Sequence, residues 1–239
     1  LSATFVQSRS TTSSGVTTVT LAYTSPNTAN NLLVYCTGAL TASAGQAGAA
    51  TDNNTNTISN ATTIEGTSNA AEARVDFVQS CHAGSNTVTG HNANSDDIIL
   101  QIWELAGCAT TGQPKTTGTV ANSTTLSVST AASTAVTGDA VVGFFYVYNA
   151  PSGPTLAAGA SFTNSLLQNA TADLTSGMSE FKAATVGGTQ TADGSQGGAG
   201  DPVAQIVVVF SQAGAANHLD EDYWQGPRPR PSEPFITVY

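Results

Sequence analysis

The sequence predicts an all-β protein, an antiparallel β-sandwich followed by an extended C-terminal arm. Three observations carry this. Short runs of β-branched and aromatic residues recur along the chain, as at Val16-Thr17-Thr18-Val19-Thr20-Leu21-Ala22-Tyr23. Turn clusters separate them, such as Ser25-Pro26-Asn27 and Thr137-Gly138-Asp139. No segment sustains a helical period with caps, and only 9% of the residues are charged. Ordinary domains carry about 25%, and long surface helices draw on Glu and Lys.

Taken in order, residues 3–7 read as a strand, and residues 16–23 alternate with period two. Asn31-Leu32-Leu33-Val34-Tyr35-Cys36 is an apolar run suited to a strand buried on both faces. In residues 73–79 the alternation places Arg74, Asp76 and Gln79 near solvent. Residues 98–105 form a central strand, and residues 124–129 alternate. Residues 140–148 are the most apolar aromatic stretch, and residues 205–210 close the core. Two low-complexity stretches, 41–63 and 186–200, are expected as surface loops, or as loops ordered at a subunit contact. The shared core strands favour one body over residues 1–212, with the arm from 213 to 239.

The net charge is -10, with six Lys and Arg. Two of those, Arg228 and Arg230, lie in the arm. The body therefore offers no cationic stripe for phosphates, and neither nucleic acid nor an anionic membrane is an expected partner. No hydrophobic run is long enough to span a bilayer as a helix. The chain opens at Leu1, directly before a strand, so either a leader has been removed or none was present.

Cys36, Cys81 and Cys108 make an odd count without a CxxC pair. Buried reduced thiols are expected, with one disulfide plus a free thiol as the alternative. Cys81-His82 lacks the further ligands that zinc needs. Residues 92–97 (Asn-Ala-Asn-Ser-Asp-Asp) form an oxygen-rich loop without calcium-loop spacing. Asp220-Glu221-Asp222 reads as a solvated or docking patch. No metal and no cofactor is expected. Nucleophilic catalysis has no G-x-S-x-G elbow to support it. Glu104, beside Trp103 in a strand, is the best single candidate for a glycosidase carboxylate. Sequons begin at Asn53, Asn60, Asn122 and Asn169.

The arm is where function is legible. Prolines at 227, 229 and 231 force an extended course. Yet the arm carries Tyr223, Trp224, Phe235, Ile236 and Tyr239, which need somewhere to bury. These residues, with Arg228 and Arg230 facing acidic sister surfaces, are the expected partner-binding set. Phe235 to Tyr239 could add a strand to an exposed sheet edge.

The order of motifs also resembles a family. Ala3-Thr4-Phe5-Val6-Gln7-Ser8 opens the chain, and Ala29-Asn30-Asn31-Leu32-Leu33-Val34 follows. Then come Trp103-Glu104-Leu105-Ala106-Gly107, Gly138-Asp139-Ala140-Val141-Val142-Gly143 and Ala204-Gln205-Ile206-Val207-Val208-Val209-Phe210. The pattern resembles the jelly-roll-like β-sandwich domains of bacteriophage structural proteins and of large bacterial secreted proteins, over residues 3–212. The arm resembles C-terminal extensions of phage virion proteins. The stretch 41–63 departs from the pattern, which expects a turn and a further strand there. The resemblance implies a non-enzymatic structural protein of a virion surface, either a capsid decoration protein or a minor structural or tail component. It implies a homo-oligomer whose partners are sister subunits or other virion structural proteins, and it carries over no catalytic residue. A carbohydrate-binding or adhesive module, with cell-surface glycans as partners, is the alternative. A hydrolase on a sandwich scaffold is the third reading.

Overall fold

A computed structural model describes residues 1–40, 45–65, 71–131, 134–148, 155–170, 175–197 and 203–214. Among these there is no helix. The strands are β1 (Thr4–Ala22), β2 (Leu32–Leu40), β3 (Ala47–Asp52), β4 (Ser59–Glu65), β5 (Ala71–Val78), β6 (Thr87–Ala106) and β7 (Thr116–Ser123), then β8 (Ser127–Ser129), β9 (Ala140–Tyr148), β10 (Thr155–Ala158), β11 (Asn164–Ala170), β12 (Thr175–Ala183), β13 (Thr191–Gly197) and β14 (Val203–Phe210). Two main sheets have the orders β1-β6-β2-β5-β4 and β11-β12-β9-β14-β7, and β3 also pairs with β6. A small sheet, β10-β13-β8, completes the set. Every pairing is antiparallel.

The longest strands, β1 and β6, form a ribbon that doubles over on itself. Thr4 to Ser13 pair with Ala106 to Ile98, and Thr18 to Ala22 pair with His91 to Thr87. The register slips on both sides of Val16 mark the fold-over, where Gly15 takes φ +65°, a backbone favoured by glycine. In a straight strand Arg9 and Ala22 would stand roughly 40 Å apart. Instead, Arg9 Nη1 donates to Ala22 O at 2.8 Å, and Tyr23 OH donates to Trp103 O at 2.9 Å.

The doubled ribbon explains the burial. One core lies between the main sheets, where Leu32, Val34, Phe77 and Trp103 meet Val142, Phe144, Ile206 and Phe210. A second lies under the folded ribbon and β3, where Val19, Leu21, Ala50 and Val88 cover Leu33, Tyr35, Ile98 and Leu100. A third lies between the second main sheet and the small one, with Phe145, Val147 and Val207 against Val128, Leu156 and Ala192. The sandwich therefore has outer β layers on both sides. This is why β2 and β14 are apolar on both faces: their side chains face a core in either direction.

Four expectations need correction. The stretch 41–63 holds β3 and the start of β4, and 186–200 holds β13. Small residues serve there because the outer layers lie close against their neighbours; a Cβ at Gly143 of β9 would stand 2.7 Å from that of Ala192 in β13. Residues 92–97 are not a separate loop but part of β6, at the ribbon's fold-over. Asp76 does not face solvent: it is buried, pairs with Arg74 at 2.8 Å, and accepts from Ala50 N and Asn60 Nδ2. It thereby fastens β3 and β4 to β5. The arm's partner-binding set, Tyr223, Trp224, Arg228, Arg230, Phe235, Ile236 and Tyr239, lies outside the described residues, as do Asp220-Glu221-Asp222 and His218.

Candidate functional site

Glu104, the best carboxylate by sequence, is fully buried. Strand alternation sends Trp103 into the central core and Glu104 to the opposite face, under the folded ribbon. Four donors converge on it. Gln7 Nε2 (2.6 Å) and Asn27 Nδ2 (2.8 Å) reach Oε2, while Thr28 N (2.8 Å) and Asn31 Nδ2 (2.7 Å) reach Oε1. A carboxylate has about four lone-pair sites, and all are engaged. Glu104 is a hub that fixes the turn between β1 and β2, and it has no lone pair left to take a substrate proton. Glu72 repeats the pattern on a smaller scale, accepting from Gln46 N and Ala47 N.

Cys36, Cys81 and Cys108 are buried free thiols. Burial pushes Cys81 up to about 11 and Cys108 up to about 12, and it raises Cys36 as well. Cys81 and His82 diverge, for Cys81 Sγ donates to Thr28 O, while exposed His82 places Nδ1 3.0 Å from Asn54 O. His82 borders a recess of about 290 Å³ lined by Thr57, Ser59, Val78, Gln79 and Ser80. It holds hydroxyls and amides with no carboxylate or aromatic platform. In the native protein all three thiols should resist a disulfide reagent at pH 8 over minutes and react fully after denaturation. Rapid labelling of the folded chain would contradict this placement.

Three of the side-chain oxygens of residues 92–97 bind the chain itself as acceptors. Asn92 Oδ1 accepts from Asn94 N, Asp96 Oδ1 accepts from Asp97 N, and Asp97 Oδ2 accepts from Thr175 Oγ1. Among the described residues, no group of three His, Cys, Asp or Glu could hold a metal. Of the sequon residues, Asn53, Asn60 and Asn169 are exposed.

One carboxyl carries chemistry that sequence reasoning passed over. Glu180, on β12, is fully buried between the second main sheet and the small sheet. Its Oε2 accepts from Gly159 N at 3.1 Å, and Oε1 lies 2.9 Å from where a Cβ on Gly143 would sit. Burial pushes its pKa up to about 8, and the nearby Asp193 charge adds to the rise, whereas the Gly159 bond and Lys182 act against it. Lys182, two residues on, donates to Ser161 Oγ and Thr191 O and stands 4.3 Å over the Phe162 ring. Its own pKa is lowered by burial. Glu180 is thus a neutral acid at neutral pH, walled in by β9 and β13. Its one sequence signal was a lone Glu among the small residues of Thr175-Ser176-Gly177-Met178-Ser179.

The root of the arm is the remaining feature. Asp139 is buried and accepts from Gln212 N (3.0 Å), Val136 N (2.9 Å) and Lys115 Nζ (2.9 Å). Ala213 N donates to Gly107 O at 2.7 Å, and Gln212 Nε2 donates to Thr137 O. Ala3 N donates to Gly138 O, and Gly138 N to Ala184 O, so five stretches of chain, at Ala3, Gly107, residues 136–139, Ala184 and residues 212–213, meet at this end. The body holds the chain through Ala213, the residue at which the arm is expected to start. Its four cations are all engaged: Arg9 with Ala22 O, Arg74 with Asp76, Lys115 with Asp139, and Lys182 as above.

No family model matches the chain, and no curated protein or solved structure shows detectable similarity to it.

Proposed function

We propose that this chain is a non-enzymatic structural protein of a virion surface, a capsid decoration or minor structural or tail component, that assembles through its C-terminal arm. One observation carries the reading. The three cores of the described body are built from residues between Ala3 and Phe210, and a clasp at Asp139 and Gly107 secures the chain just beyond them. Beyond that clasp the sequence adds Tyr223, Trp224, Phe235, Ile236 and Tyr239 to a proline-rich segment, and a partner surface is the place of burial that such a segment suits. The buried carboxylates agree with this, since Glu72, Asp76, Glu104 and Asp139 each bind the body's own donors. The glycan alternative draws less support, because Trp103, Tyr23, Tyr35 and Tyr146 are buried, and Tyr148 is the one exposed Trp or Tyr among the described residues.

Deletion of residues 215–239 tests the proposal. The truncated chain should keep its thermal midpoint within about 2 °C, as expected for removing residues outside the cores. It should lose assembly, read by light scattering and by images of the native particle. A truncated chain that assembles like the full one would overturn the reading.

A further inference from the structure

Exposed apolar side chains gather around the root of the arm. The exposed large apolar residues of the described body are Leu1, Phe5, Val6, Val136, Tyr148, Leu167 and Val186. Five of these seven lie at the end where the arm leaves. Phe5 and Val6 follow Thr4 at the start of β1, where Thr4 pairs with Ala106 and Phe5 with Leu105, and the register slip between Phe5 and Gln7 leaves Val6 exposed. Val136 starts the turn that Asp139 closes, and Val186 lies in the adjoining turn, where Gly188 N donates to Ala135 O. Val136 is 40% exposed and Val186 65%. Exposed apolar groups concentrated at one end mark an interaction surface.

We infer that this end of the body, formed by Phe5, Val6, Val136 and Val186, is the seat for the C-terminal segment Phe235-Ile236-Thr237-Val238-Tyr239 of a second copy. The inference rests on the arm-mediated assembly proposed above and names the surface that receives the arm. Two arguments select the occupant. The arm is the apolar segment tethered closest to this end, since it begins at the residue after Gly214, which is itself next to the Ala213–Gly107 hydrogen bond. The reach of the arm then favours a neighbour. Prolines at 227, 229, 231 and 234 favour a stiff course over the eleven residues from Gln225 to Phe235, whose ends would stand roughly 30 Å apart at about 3.1 Å per residue. For the arm to seat on its own body, the ten residues 215–224 would have to carry the far end of that segment out by about its whole length so that Phe235 could return beside the root. The same seat on a facing copy is within reach, and reciprocal exchange would close a symmetric contact.

A photo-crosslinking residue placed at Phe235 in the full-length chain tests this, using unlabelled and nitrogen-15-labelled copies mixed before assembly. The expected products join position 235 to peptides containing Phe5, Val136 or Val186, and about half of them carry both labels. Same-label products alone would mean that the arm seats on its own body, and products on another surface would move the seat elsewhere; either overturns the inference. In parallel, a full-length V136D/V186D variant should keep its thermal midpoint and lose assembly. If it assembles normally the seat is wrong, although the arm would remain the means of assembly so long as the 215–239 deletion abolishes it.

Discussion

Glu104→Ala is expected to lower the thermal midpoint by roughly 10 °C or more, with little soluble native protein recovered at 37 °C. The substitution leaves Gln7, Asn27, Thr28 and Asn31 with buried donors and no acceptor. An unsatisfied buried donor costs about 1–3 kcal/mol, and water entering the vacated space recovers part of that. A net loss on the order of 4 kcal/mol then translates, at about 2–4 °C per kcal/mol for a chain of this size, into that shift. Glu104→Gln should fall between the two, because its amide turns a donor towards donors. Thermal unfolding of the three proteins in one buffer measures the effect. If Glu104→Ala melts with the parent, the hub does not hold the turn between β1 and β2.

Glu180→Gln should do the opposite, and only at high pH. The folded-state pKa of about 8 lies above the ordinary value of 4.5. Between those values the folded chain keeps a proton that the unfolded chain has lost. Stability from this group is therefore complete at low pH, declines as pH rises from about 4.5 to about 8, and then levels off. At about 1.36 kcal/mol per unit, the full span is on the order of 5 kcal/mol. A glutamine cannot ionise, so the variant should match the parent near pH 4 and exceed it at pH 8.5. Denaturant unfolding at the two pH values reads the difference directly. Equal gains at both would assign the effect to packing instead of the proton.

Much of the fold was legible because its central strands are written as continuous apolar runs. β2, β9 and β14 stand where residues 32–36, 140–148 and 205–210 placed them. What escaped notice was the outer layering. β12 has no apolar run to mark it as a strand, yet Thr175, Ser176, Ser179 and Glu180 are all fully buried. Ser179 Oγ accepts from Trp103 Nε1, and Thr175 Oγ1 donates to Asp97. Such pairs join strands far apart in sequence, and local periodicity contains no trace of them. Asp76 was misassigned for the same reason, since alternation marks the two faces of a strand but not which face meets solvent. With Glu104 the sequence identified the residue and missed its role, which only the arrival of Asn27, Thr28 and Asn31 reveals.

The doubled ribbon also bears on how the chain emerges during synthesis. Thr4 has no strand partner until Ala106 exists, so the first strand must wait for about a hundred further residues. At roughly 5–20 residues per second, that wait lasts on the order of 5–20 s. Throughout it Phe5 and Val6, and until residues 87–96 emerge the Thr/Val pattern of residues 16–21, are available to any other unpaired strand, including the same segment of a chain on a neighbouring ribosome. Dense polysomes would thus be where this protein is most exposed to misassembly, and slowing initiation, rather than elongation, is the way to raise its yield.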